Sequence, residues 1–191
     1  MADPIEVLDF WLGEVGPDGW YRGGPALDAL CATRFGDLWQ AAHDGGLDHW
    51  VDGPAATLAY LIVTDQLSRN IHRDDARAFA CDARALAAAK VAVEQCWDML
   101  APEPERQFFY MPFEHSEVPA DQAMAVHLLE TRLPSVPDMA LHACAHAEVI
   151  RRYGRFPTRN AALGRVSTPE EQTYLTEGGY AALVSAMKAA P

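Results

Sequence analysis

The chain is poor in cysteine and in positive charge, and it has no long apolar run. Its 191 residues include 4 cysteines, and 15 lysines and arginines stand against 27 aspartates and glutamates, so the net charge is −12. The longest uncharged apolar stretch, residues 55–63, is much shorter than the roughly 20 residues of a membrane-spanning helix. An acidic balance also disfavours binding of nucleic acid through the overall field. We therefore expect no membrane and no nucleic acid among the partners.

The number and spacing of the cysteines help to predict the cellular compartment. The four thiols lie far apart, at Cys31, Cys81, Cys96 and Cys144, and form no C-x-x-C pair. We expect them to be reduced, with no role in a disulfide or a metal site. The start of the sequence, residues 1–4, lacks the basic and apolar character of a secretion signal. These features predict a cytoplasmic protein.

Signals for helix ends recur along the whole chain, whereas no stretch of six residues alternates like a strand. Proline repeatedly follows a residue that caps helices or breaks them, as at Asp3-Pro4 and Gly53-Pro54. Thr168 and Glu171 form a capping-box pattern. The main predicted helices are 4–12, 25–44, 54–70, 74–95, 119–133 and 137–153, with another from 169.

This pattern predicts an all-α protein of eight to ten helices in a single domain, residues 1–191. Short turns between helices favour antiparallel helix pairs, arranged as a bundle or as an α-solenoid. The sequence contains no phosphate-binding P-loop, no dinucleotide-binding glycine pattern and no G-x-S-x-G nucleophile elbow. Common nucleotide-dependent and hydrolase chemistries are therefore disfavoured, and we expect no cofactor.

A cationic segment interrupts the acidic chain. Residues 146–165 carry five arginines against the single acid Glu148, whereas residues 1–56 carry ten acids and two arginines. Two interpretations are open. The arginines could pair within the protein with Glu114, Glu117 or Asp65, or they could capture a carboxylate or phosphate of a ligand.

Two further polar clusters are candidates for a site. The first follows the most apolar run of the chain and comprises Asp65, Gln66, Arg69, Asn70 and Arg73. Its members are expected either to join helices in a structural network or to line a ligand pocket, because buried polar groups need partners.

The second cluster contains Glu114, His115 and Glu117, whose carboxylates and imidazole suit acid–base chemistry. In the alternative interpretation, Ser116 or Glu117 caps the helix from Pro119. His142 and His146 have the i, i+4 spacing of two metal ligands. No third ligand is evident, so we predict no metal site.

Several segments, taken in order, resemble the bacterial domain-of-unknown-function family 924. The resemblance covers about residues 5–178. The segments that carry it are Val7-Leu8-Asp9-Phe10-Trp11-Leu12-Gly13, Asp65-Gln66-Leu67-Ser68-Arg69-Asn70-Ile71, Arg77-Ala78-Phe79-Ala80-Cys81-Asp82, Phe109-Tyr110-Met111-Pro112-Phe113-Glu114-His115-Ser116-Glu117, Tyr153-Gly154-Arg155-Phe156-Pro157-Thr158-Arg159-Asn160 and Leu163-Gly164-Arg165-Val166-Ser167-Thr168-Pro169-Glu170-Glu171.

The resemblance implies an all-helical, tetratricopeptide-like array of antiparallel helix pairs, and it implies no established activity. Ser68 stands where the family usually has proline, and Thr158 where it usually has histidine. A mechanism that used the family's histidine at that position would therefore be missing its group here. His146 fits a family position better than His142 does.

These observations predict a binding domain with an Arg- and Asn-rich polar cavity for a small anionic ligand or an acidic peptide. In this hypothesis Asp65 and Glu114 orient the arginines. The expected ligand-binding residues are Asp65, Arg69, Asn70, Arg155, Arg159 and Asn160.

Two alternatives stay open. The first is an enzyme acting on a phosphorylated or carboxylated metabolite, in which Glu114 or Glu117 is the base, His115 is its acid–base partner and the arginines stabilise negative charge. The second is a protein-interaction module. A homodimer is compatible with either alternative.

Overall fold

Proline and glycine set most helix boundaries in the computed structural model, which describes residues 3–189. These residues contain no β-strand, so the all-α prediction is confirmed. In chain order the α-helices are α1 (Pro4–Leu8), α2 (Gly16–Trp20), α3 (Pro25–His43), α4 (Pro54–Leu61), α5 (Ser68–Ile71), α6 (Asp82–Glu94), α7 (Met111–Glu114), α8 (Pro119–Arg132), α9 (Pro137–Tyr153), α10 (Pro169–Thr176) and α11 (Gly179–Ala189). Two π-helical segments are Asp9–Val15 and Ile62–Leu67, and the 3₁₀ turns are Asp48–Trp50, Ala76–Phe79, Asp98–Leu100, Glu105–Phe109 and Pro157–Arg159.

The capping signals of the sequence act as predicted. Asp3 accepts a hydrogen bond from the backbone N–H of Ile5 at the start of α1. Thr168 and Glu171 form a reciprocal capping box at α10. Gly154 ends α9 at φ 68°, a left-handed conformation in which glycine avoids the strain that a Cβ would cause.

Two predicted helix boundaries were wrong. The helix expected from Asp74 begins only at Asp82, because Asp74 has φ 63° and Asp75 caps a separate 3₁₀ turn. The first helix, expected to end at residue 12, continues as the π-helical segment to Val15.

The chain folds into two compact units, Met1–Pro112 and Phe113–Pro191. One domain over 1–191 stays a prediction, as does the tetratricopeptide-like arrangement. The outermost residues of that predicted domain, 1–2 and 190–191, lie outside the described residues.

The first unit is built around aromatic side chains. Phe10 packs against Phe35 of α3, with ring centroids 4.9 Å apart. The α3 helix packs on α5 and on the π-helical segment before it, where the Trp39 indole donates to the hydroxyl of Ser68 at 2.7 Å. Thr57 to Ser68 are all buried, so this continuous helix passes through the core of its unit.

The second unit is centred on α9. A short connection joins α8 to α9, and these two helices pack against each other as a hairpin. The α11 helix covers another side of α9. Val149 and Ile150 of α9 pack with Phe156, which brings the turn after α9 onto the core of this unit.

Crossing a bilayer requires a helix that is both long and apolar. Between residues 3 and 189, no helix meets both requirements.

Truncation of Phe35 to alanine is expected to lower the free energy of unfolding by about 3–5 kcal/mol, because it opens a cavity in the aromatic core. Urea unfolding of the purified variant measures the change. Leu30→Ala on the same helix is the matched control, with an expected change of about 0.5 kcal/mol or less. Equal losses in the two variants would contradict this description of the core.

Candidate functional site

Arg155 is held by a buried carboxylate of its own unit. It follows Gly154 and donates from Nε and Nη2 to the two oxygens of Glu171, at 2.6 and 2.8 Å. Asn160 donates to the same carboxylate at 3.1 Å, and so does the backbone N–H of Thr168 at 2.8 Å. The hydrogen bonds from Arg155 hold the pKa of Glu171 at about 2. This cluster ties the turn after α9 to the start of α10.

A second arginine–carboxylate pair joins Arg165 of the same cationic segment to Glu117. Arg165 donates from Nη1 and Nη2 to the two oxygens of Glu117, at 2.9 and 3.1 Å. The backbone N–H of Phe156 donates to Glu117 at 2.8 Å. Burial raises the pKa of Glu117, but hydrogen bonds from Arg165 and Phe156 outweigh it and hold that pKa below its usual value.

The remaining arginines of the cationic segment fall into two groups. Arg151 and Arg152 both donate to Glu148 on the solvent side of α9. Arg159 donates to the backbone carbonyl of His115 at 2.9 Å, and its guanidinium carbon lies 4.5 Å from the centre of the Phe156 ring. Pairing within the protein therefore accounts for much of this positive charge. Of the partners that the first interpretation named, Glu117 meets Arg165, whereas Asp65 pairs with Arg69 and Glu114 contacts His146.

The first unit holds the other predicted cluster. Asp65 is buried in the π-helical segment, and Arg69 of α5 contacts both its backbone carbonyl and its carboxylate. The other end of the Arg69 guanidinium contacts Asp82 at 3.1 Å. Desolvation lowers the pKa of Arg69, but these two acids outweigh it and raise that pKa above its usual value. Asn70, also predicted as a ligand-binding residue, is half-buried at the end of α5.

The imidazole of His146 lies against a buried acid that the sequence did not assign to it. Oε2 of Glu114 is 3.3 Å from Nδ1 of His146, and Glu114 is only 2% exposed. The His115 ring is centred 6.1 Å from the His146 ring. His142 lies one turn before His146, and its Nδ1 is 2.8 Å from the Tyr180 hydroxyl. Burial lowers the pKa of His142 and raises that of Tyr180.

The contact of Glu114 differs from the one expected in the binding hypothesis, where this acid orients arginines, and its role as a base in the enzyme alternative stays a prediction. Its carboxylate contacts a histidine, and Oε1 is buried with no hydrogen-bond partner among the described residues. The Glu114–His146 pair could not be found from spacing because its members are 32 positions apart in the chain. The i, i+4 pattern of His142 and His146 did predict that both lie on one helix face, but gave no sign of Tyr180.

The structure distributes the predicted residues over both units. Asp65, Arg69 and Asn70 belong to the first, whereas Arg155, Arg159 and Asn160 belong to the second, as do Glu114, His115 and Glu117. Their role as ligand contacts stays a prediction. Within residues 3–189, no three His, Cys, Asp or Glu side chains are grouped so that they could hold a metal ion.

Glu171→Gln is expected to lower the free energy of unfolding at pH 7 by about 1–2 kcal/mol, because a neutral amide replaces the carboxylate that Arg155 meets. The pKa of Glu171 is lowered from 4.5 to about 2, so its stabilisation is complete above pH 4.5 and is lost as the pH falls towards 2. The difference between wild type and variant should shrink over that range in thermal unfolding.

Glu170→Gln is the matched control for this pH series. Glu170 is the exposed neighbour in the same first turn of α10, whereas Glu171 is buried. We expect this variant to follow the wild-type profile. A gap between wild type and Glu171→Gln that stays constant from pH 7 to pH 2 would refute the assigned pKa.

Comparisons with known proteins agree with the fold and add no activity. The family described as "Bacterial protein of unknown function (DUF924)" matches residues 7–179. A solved structure of a protein of unknown function from Agrobacterium tumefaciens is 38% identical and has a TM-score of 0.85, and the match covers 92% of this chain and 97% of that one. No curated protein matches significantly. The chain belongs to the DUF924 family of bacterial proteins, whose function is unknown.

Proposed function

We propose that this protein is an enzyme that moves protons on a small anionic metabolite, with Glu114 and His146 as its acid–base pair. The observation that carries the proposal is the buried Glu114 carboxylate against the His146 imidazole, whose side chain remains 20% exposed. A carboxylate beside one ring nitrogen orients the imidazole and stabilises its protonated form. The other nitrogen, Nε2, then exchanges a proton with the substrate.

The pair is in contact but does not form a hydrogen bond of ordinary geometry. The 3.3 Å between Nδ1 and Oε2 exceeds the roughly 2.7–2.9 Å of a charge-assisted hydrogen bond, and Nδ1 has no hydrogen-bond partner among the described residues. In this proposal the two groups approach to hydrogen-bond distance as substrate binds. The unpartnered Oε1 of Glu114 adds to this argument, because a buried carboxylate oxygen without a donor is costly.

The anionic character of the substrate rests on Arg159. Its guanidinium lies over the Phe156 ring, and the His146 ring is centred 5.5 Å from that same ring. A positive charge held near an acid–base group stabilises a carboxylate or phosphate and the negative charge that develops on it. Hydrolysis or isomerisation of a phosphorylated or carboxylated metabolite fits these groups.

The enzyme alternative is favoured over the purely binding alternative because two of the arginines expected to bind a ligand already pair with acids. Arg155 and Arg69 were the other expected ligand donors, and each already meets a carboxylate of its own unit. An anionic ligand or an acidic peptide at either arginine would have to displace that carboxylate. Proton transfer at the Glu114–His146 pair does not depend on either of these two arginines.

His146→Asn and Glu114→Gln are expected to lower kcat by about 10²–10⁴-fold, the usual contribution of a general acid–base group. Turnover is measured on phosphate monoesters and on hydroxy and keto acids in D₂O, with ³¹P NMR to follow hydrolysis and ¹H NMR to follow proton exchange. The wild type should turn over at least one member of this panel.

The matched controls lie on the exposed face of α8 in the same unit. His127→Asn and Glu130→Gln make the same chemical changes at solvated positions and should retain wild-type rates. Melting temperatures check that each variant is folded. If the wild type turns over no member of the panel, or if His146→Asn keeps the wild-type rate, the proposal is wrong.

A further inference from the structure

A cavity in the first unit is lined mostly by apolar residues, unlike the surroundings of the Glu114–His146 pair. Its volume is about 270 Å³, and six of the residues that line it are Leu8, Leu58, Trp97, Leu100, Glu105 and Phe109. An apolar cavity of about 150 Å³ is large enough for benzene, so this space accepts one ring with a short substituent. Small-molecule sites commonly have such apolar walls with few polar groups.

Trp97 differs from the other tryptophans of the chain. Trp11, Trp20, Trp39 and Trp50 are buried in the core, as aromatic side chains usually are. Trp97 is half-buried and lines the cavity. A ligand in the cavity therefore has access to an indole ring.

Leu100 adds apolar surface that water covers in the free protein. It is 71% exposed and lines the same cavity as Trp97. Removing this surface from water favours an occupant with an apolar body.

Glu105 gives the cavity its charge. Among the described residues that line it, Glu105 has the one ionisable side chain. Its Oε2 is buried and has no hydrogen-bond partner in the described structure. Oε2 has almost no solvent-accessible surface, so a donor in the cavity meets this carboxylate by a rotation of the half-buried Glu105 side chain. A cationic donor then satisfies the carboxylate, whereas a neutral apolar ligand leaves it unmet and an anion is repelled.

We propose that this cavity is a binding site for a small apolar organic cation, an aromatic or alkyl ring that bears one ammonium group. The ring occupies the apolar wall, the ammonium group meets the carboxylate of Glu105, and the Trp97 indole attracts the same positive charge through its π face. The net charge of −12 raises the local concentration of such a cation. The proposal does not depend on the Glu114–His146 pair, which belongs to the other unit.

Benzylammonium, benzyl alcohol and benzoate are the probes, since they share a ring and differ in charge. In isothermal titration calorimetry on the full chain, benzylammonium should bind with a Kd of about 1 mM or lower, a value in keeping with its few atoms. Benzyl alcohol should bind at least about tenfold more weakly, and benzoate should not bind. In ¹H–¹⁵N spectra, benzylammonium should move the Trp97 indole signal and leave that of Trp39 in place.

Three variants separate the carboxylate from the cavity itself. Glu105→Gln should weaken benzylammonium binding at least about tenfold, whereas Glu94→Gln, an exposed acid outside the cavity lining, should not change it. Ala55→Phe places a ring at the cavity wall and should abolish binding while the melting temperature is retained. Equal affinity for benzylammonium and benzyl alcohol would overturn the proposal. So would an unchanged Kd in Glu105→Gln, or no binding of benzylammonium at 10 times the expected Kd.

Discussion

Burial of carboxylates is the constraint on which the polar architecture of both units depends. A carboxylate removed from water costs several kcal/mol unless donors meet it. Glu171 receives a bidentate arginine, an amide and a backbone N–H, and Asp65 receives Arg69. Glu114 has one imidazole at 3.3 Å and an oxygen without a partner among the described residues. The first two acids are stabilised by their surroundings, and the third is the acid on which the proposed proton transfer rests.

This difference explains why a cationic segment in an acidic chain is a weak guide to function. Arg155 and Arg165 each pair with a glutamate in bidentate geometry, and these ion pairs hold the turns around α9 in place. Arg159 contacts a carbonyl and an aromatic ring near His146. The contacts of each arginine, and not the local net charge, indicate which role it has.

Local signals in the sequence predicted the fold class well because helix ends are encoded by few residues. Pro137 and Gly154 bound α9 as expected, and the capping box of Thr168 was found from spacing alone. The sequence analysis did not predict the π-helical turn around Asp65, because one extra residue in a helical turn does not change the residue composition of the segment. The Glu114–His146 pair was missed for a different reason, because it depends on how α7 and α9 meet in space.

The proposed function requires Glu114 to orient His146 as a proton-transfer group, and the tautomer of that imidazole is the decisive observation. Long-range ¹H–¹⁵N NMR spectra report which ring nitrogen of a neutral histidine carries the proton. We expect Nδ1 of His146 to be protonated and to face Glu114, Nε2 to be unprotonated, and Glu114→Gln to remove this preference. A proton on Nε2 in the wild type, or the same tautomer in both proteins, would contradict it.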